Sequence, residues 1–187
     1  MPMRVAIYGG SFNPPHVAHQ LAALYVLETQ PVDELWLVPC FKHPFDKALE
    51  SFEDRLEMCQ RAAAALGPRA RVSDCERRLG GESRTLRTVS ALIAENPGTE
   101  FRLVVGADLV AELPSWYGAQ ELQRLVRFIV VGRAGFEGGG PALPAVSSSE
   151  VRERIRRGQP VDSLLPRSVL DYVRERKLYG SAESQSS

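Results

Sequence analysis

The chain has 187 residues, 44% apolar and 25% charged, an ordinary balance for one folded domain with a substantial core. Lysine plus arginine equals aspartate plus glutamate at 23 each, so no overall field draws the chain to nucleic acid or an anionic membrane, and any anion binding has to be local. No apolar run approaches the roughly 18 residues of a membrane span, and Cys40, Cys59 and Cys75, odd in number and without CxxC spacing, argue against a disulfide framework or a zinc site and for reduced thiols in a cytoplasmic protein.

Apolar runs alternate with helical patterns. Val5 to Tyr8 reads as a first strand, followed by a helix over Val17 to Glu28 with Leu21, Leu24 and Tyr25 on one face. Leu35-Trp36-Leu37-Val38 is a second buried strand, stopped by Pro39. Ser51 is placed to cap a helix beginning Phe52-Glu53-Asp54 and running through Leu56, Met58 and an alanine run to Gly67-Pro68. Arg71-Val72-Ser73 is a weak strand, Thr85 to Glu95 a helix, and Phe101 to Val105 and Phe128 to Val131 are two further strands. Gly135 to Pro144 reads as a flexible connector, followed by terminal helices over Ser149 to Arg157 and Arg167 to Lys177. The Ser-rich tail 181–187 is expected to be disordered, leaving 1–180 as one domain. Strands alternating with helices imply right-handed crossovers and an α/β, mainly parallel, doubly wound sheet.

Chemistry concentrates in two segments. Gly9-Gly10-Ser11-Phe12-Asn13-Pro14-Pro15-His16-Val17-Ala18-His19 follows directly on the first strand and holds two of the three histidines in the chain. Paired glycines leading to a helix start present free backbone N–H groups and the positive end of the helix dipole to an anion, and two imidazoles there add donors. Far along the chain, Val146-Ser147-Ser148-Ser149-Glu150-Val151-Arg152 offers hydroxyls and an arginine on a first helical turn. That pattern alone also fits a capped helix with an exposed arginine. Between them, Trp116 and Tyr117 lie among Pro114, Ser115 and Gly118, as a loop platform for a flat ring or as core aromatics. Asp108, after a strand and Gly106, is positioned to accept from a ribose hydroxyl or to cap the next short helix.

The two outer segments resemble the (H/T)xGH loop and ISSTxxR-like motif of the nucleotidyltransferase superfamily, with Ala18 where glycine is usual and Val146-Ser147-Ser148-Ser149 followed by Arg152. The middle of the chain resembles the bacterial nicotinate-mononucleotide adenylyltransferases. Gly9 to Pro14 is similar to GGTFDP, Ser83 to Thr88 to SYTxxT with Arg84 for the usual tyrosine, Val105 to Asp108 to IGxD, and Trp116-Tyr117 to an aromatic WY pair. After the second strand Lys47 keeps the lysine of a PPHK-like segment while Asp46 stands where histidine is common; His43 either compensates or is unrelated. Arg133 sits like the arginine of an RPG segment, beside the base or ribose.

The resemblance implies a Rossmann-like nucleotidyltransferase fold with C-terminal helices and adenylyl transfer from ATP, with Mg²⁺ carried on the triphosphate, to nicotinate mononucleotide, giving nicotinate adenine dinucleotide and pyrophosphate. It places His16, His19 and Arg152 in the catalytic role. Gly9, Gly10, Ser11, Phe12, His16, His19, Lys47, Gly106, Asp108, Arg133, Ser147, Ser148, Ser149 and Arg152 would bind ATP, and Asn13, Thr85, Trp116 and Tyr117 the mononucleotide. Nicotinamide mononucleotide or phosphopantetheine as acceptor, CTP as donor, a nucleotide-binding regulator without turnover, and a homo-oligomer are left open.

Overall fold

The computed structural model describes residues 2–43, 49–132 and 142–180. Asp46, Lys47, Arg133, connector residues 135–141 and the tail 181–187 lie outside them.

Five strands, β1 (Met3–Gly10), β2 (Glu34–Pro39), β3 (Ala70–Val72), β4 (Thr99–Gly106) and β5 (Arg127–Val131), form one sheet in the order β3-β2-β1-β4-β5, every pair parallel. The chain works outward from β1 through β2 to β3, then returns to β1's other side for β4 and β5. The strand order therefore reverses between β1 and β4, and the crevice at their carboxyl ends is where open α/β sheets bind ligands.

Alternation along the strands sends residues to two faces. On one, Ala6, Leu35, Leu37, Val104 and Ile129 pack against α1 (Val17–Thr29) and α2 (Phe52–Ala64). On the other, Val5, Ile7, Phe101, Leu103 and Val105 pack against α3 (Cys75–Leu79), α4 (Thr85–Glu95) and α5 (Ala119–Leu125). A third cluster joins α6 (Ser148–Arg156) and α7 (Arg167–Glu175) to Ala18 of α1 and to Met58 and Ala62 of α2. The doubly wound sheet expected from the alternation is the one observed.

The expected face of α1 is corrected. Leu21 and Leu24 point outward, 41% and 44% exposed, while Ala18, Ala22, Ala23, Val26 and Leu27 are buried; Tyr25 is partly buried against the first cluster. The helix carries apolar residues nearly all round. Its small side chains allow close approach to the sheet, and that packing decides which stripe goes in. The cap on α2 is as expected: the Ser51 hydroxyl accepts from the Asp54 N–H, and two acids fill the first turn. Three elements lack a periodic signal long enough to be read from sequence: α3, α5 and a 3-10 helix over Ala107–Ser115.

Candidate active site

The site is built on the carboxyl edge of the sheet. β1 ends at Gly10, where an added Cβ would lie 3.1 Å from the Phe12 ring; the chain turns with Phe12 at φ +46° and its ring fully buried. A cis Asn13–Pro14 peptide follows, and α1 starts after His16, an extended N-cap residue. The His16 N–H donates to His19 Nδ1 at 3.1 Å, which ties the end of the loop to the first turn. The two imidazoles stack with centroids 3.7 Å apart, and Phe12 meets His19 edge-on at 5.0 Å. His16 is buried and His19 half-buried, so both rings are held by packing rather than swinging from the surface.

The distal segment closes on this loop. Ser147 caps α6, its hydroxyl accepting from the Glu150 N–H at 3.1 Å. The Ser148 hydroxyl donates to the Pro14 carbonyl at 2.8 Å, and Arg152 donates through Nη1 to the Asn13 carbonyl at 2.7 Å and through Nη2 to the Ser149 hydroxyl at 3.2 Å. Two helix starts distant in the chain thus meet at residues 13 and 14, with a guanidinium between them. Asn13 is the hub. Its side-chain oxygen accepts from the Glu50 N–H at 3.1 Å and from the Tyr179 hydroxyl at 2.9 Å, and the whole residue is buried. Burial, reinforced by the Glu50 carboxylate, pushes the Tyr179 hydroxyl well above the ordinary tyrosine range, so it stays a donor.

The second group of site candidates lies on the opposite flank. Thr85 is the first residue of α4, whose N-cap is Arg84. Trp116 is half-buried against the second cluster, Tyr117 is 67% exposed, and the Arg84 guanidinium stands 6.0 Å from the Tyr117 ring centre. Gly118 takes φ +68°, and a Cβ there would run into Leu86 Cδ2 of α4, so the aromatic turn and the helix start are packed together. Between the flanks, Gly106 ends β4 beside β1, and Asp108 in the following 3-10 turn folds its carboxylate over it; a Cβ at 106 would strike Asp108 Oδ1. Gly9, Gly10, Ser11, Phe12, Asn13, His16, His19, Ser147, Ser148, Ser149 and Arg152 form one constellation, and Thr85, Trp116 and Tyr117 another.

Three residues around the site are given no site role by the sequence. Arg55 and Asp54 sit in the acid-and-base-rich start of α2, which reads as a solvated face, and Tyr179 lies beyond the last expected helix. Arg55 is 1% exposed, and Asp54 and Tyr179 are also largely buried. Burial alone would raise the Asp54 carboxyl, but hydrogen bonds from Ser51, Tyr172 and Arg176 outweigh it and hold it below the usual carboxylate value. Among the described residues no cluster of three or more His, Cys, Asp or Glu is arranged to hold a metal ion.

Residues 7–154 match the cytidylyltransferase-like family. Over 180 residues, covering 94% of this chain and 96% of the relative, it is 51% identical to a protein named "Probable nicotinate-nucleotide adenylyltransferase" from Anaeromyxobacter dehalogenans strain 2CP-C. A protein of the same name from Myxococcus xanthus strain DK1622 is 40% identical, with 95% of each chain covered. Among solved structures, a Plasmodium falciparum nicotinic acid mononucleotide adenylyltransferase complexed with NaAD superposes with a TM-score of 0.83 at 22% identity, over 96% of this chain and 98% of that one.

Proposed function

The chain belongs to the cytidylyltransferase-like family, and from that premise we propose that it transfers the adenylyl group of ATP to nicotinate mononucleotide. The carrying observation is the closure of α6 on the glycine–histidine loop through Arg152 and Ser148. That contact brings hydroxyls, imidazoles and a guanidinium from two distant segments together, which supports reading them as donors to a polyphosphate.

An oxygen of the mononucleotide 5′-phosphate attacks the α-phosphorus of ATP in line, the bond to the bridging oxygen breaks, and pyrophosphate leaves. The phosphate is already anionic near neutral pH, so no side-chain nucleophile or base is required, and catalysis comes from positioning and charge stabilisation. In this reading His16 and His19 contact the α- and β-phosphate region. Arg152, Ser147, Ser148 and Ser149 hold the departing end, with the Gly9 to Phe12 backbone beneath and Lys47 assisting. Gly106, Asp108 and Arg133 serve the nucleoside; Asn13, Thr85, Trp116 and Tyr117 serve the mononucleotide. Mg²⁺ enters as part of the MgATP substrate, in keeping with a donor set that is cationic and hydroxylic rather than a carboxylate cage.

Mixing ATP, Mg²⁺ and nicotinate mononucleotide is expected to release pyrophosphate, with His19→Ala lowering the rate by about 10²-fold or more. No release, or a higher kcat/KM with nicotinamide mononucleotide, overturns the assignment. The relatives' names favour the acid over the amide as acceptor.

A further inference from the structure

Arg55 lies deep behind the loop, 1% exposed, and among the described residues its guanidinium has no carboxylate partner. It is solvated mainly by backbone carbonyls, with the Cys40 Sγ 3.8 Å from Nη1. Nε donates to Glu50 at 3.0 Å, Nη1 to Ser11 at 2.9 Å and to Cys40 at 2.7 Å, and Nη2 to Phe41 at 3.3 Å; the Phe52 ring lies 5.5 Å away. Carbonyl dipoles ease the desolvation of a buried cation but do not cancel its charge. A full positive charge therefore sits directly behind the Gly9 to Phe12 turn.

The Ser11 contact has a second effect. The Ser11–Phe12 peptide is trans, so a carbonyl turned inward onto Arg55 forces the Phe12 N–H the other way, out of the core. That N–H finds no acceptor among the described residues. Phe12 holds a left-handed backbone that a non-glycine residue adopts only under constraint, and the Arg55 grip on the preceding carbonyl supplies one. The same guanidinium holds the end of β2 at Cys40 and Phe41 and the entry to α2 at Glu50.

We propose that Arg55 is a positioning residue for anion binding: it turns the Ser11–Phe12 peptide so that the Phe12 N–H meets a substrate phosphate, and its buried charge strengthens the hold on that phosphate. This rests on the reading that the loop at residues 9–12 receives a phosphate.

Binding of adenosine, AMP and ATP to wild type, Arg55→Gln and Arg55→Lys is measured by equilibrium titration, with kcat and thermal unfolding in parallel. For Arg55→Gln the affinity for ATP falls at least about tenfold, the interaction of two unit charges about 12 Å apart at an effective dielectric of about 20, while adenosine affinity stays within about threefold. An equal loss for adenosine and ATP, or none for either, overturns the proposal. Should Arg55→Gln fail to fold, Arg55→Lys decides it. A lysine keeps the charge but cannot span four carbonyls, so with the Ser11–Phe12 peptide no longer held the ATP-to-adenosine ratio falls at least about threefold and kcat drops about tenfold. An unchanged ratio, or an unchanged kcat, overturns the proposal. Turnover by the unaltered chain separates the two readings: its absence sinks the proposed reaction, whereas turnover with a flat ligand series sinks only the role of Arg55.

Discussion

Replacing Tyr179 with phenylalanine removes one oxygen and tests how the end of the chain supports the site. The hydroxyl is buried and donates at 2.9 Å to Asn13 Oδ1, an atom that also accepts from the Glu50 N–H at 3.1 Å. The oxygen is therefore not orphaned by Tyr179→Phe, and the cost is that of one net hydrogen bond, about 1 kcal/mol, rather than the 1–3 kcal/mol of an unsatisfied buried group. For a chain of this length that corresponds to a fall in Tm of about 2–4 °C. Urea titration followed by circular dichroism is expected to show a lower midpoint with an unchanged m-value, since the ring and its packing remain. An unchanged midpoint would mean the bond contributes nothing. A loss above about 3 kcal/mol would mean that Asn13 cannot keep its place with the Glu50 N–H alone, and the two-donor account would fail.

The Asp54 carboxyl, depressed in the folded state, contributes stability that is complete above its unfolded pKa near 3.8 and lost as pH falls through the lower folded value. Asp54→Asn should therefore lower the Tm at pH 7, and thermal scans should show the gap to wild type closing below about pH 4. Gly118→Ala combines a left-handed backbone with a collision against Leu86. A cost of about 1–3 kcal/mol is expected by urea titration, with a raised KM for the mononucleotide and little change in that for ATP. Arg152→Ala removes the bonds to Asn13 and Ser149 together with a charge, and should lower kcat/KM by about 10²–10³, read as pyrophosphate release.

Much of this architecture is legible without coordinates, because four of the five strands centre on short apolar runs, α2 and α6 begin at serine caps, and α1 begins at the glycine–histidine loop. Thr85–Glu95 has the bounds its pattern suggests, and α6 is one residue offset. The face of α1 is not legible: with Leu21, Leu24, Val26 and Leu27 on nearly every side, local periodicity does not choose a stripe, and fit to the sheet does. The meeting of residues 13 and 14 with Ser148 and Arg152 is suggested by two motifs that the family resemblance assigns to the same chemical group. Arg55 lies beyond such reasoning. In a stretch reading Phe-Glu-Asp-Arg its charge looks solvated, and only the inward carbonyls of Ser11, Cys40, Phe41 and Glu50, drawn from three separate segments, show otherwise.

The contacts that bring α6 onto Asn13 and Pro14 span 139 and 134 residues. Synthesis runs in one direction, so the glycine–histidine loop and the first strands leave the ribosome before the helix that closes this seat has been made. Fragments ending before Ser147 would carry the sheet and both imidazoles but no latch. On the proposed reading, the seat for a triphosphate is complete only when translation is nearly finished.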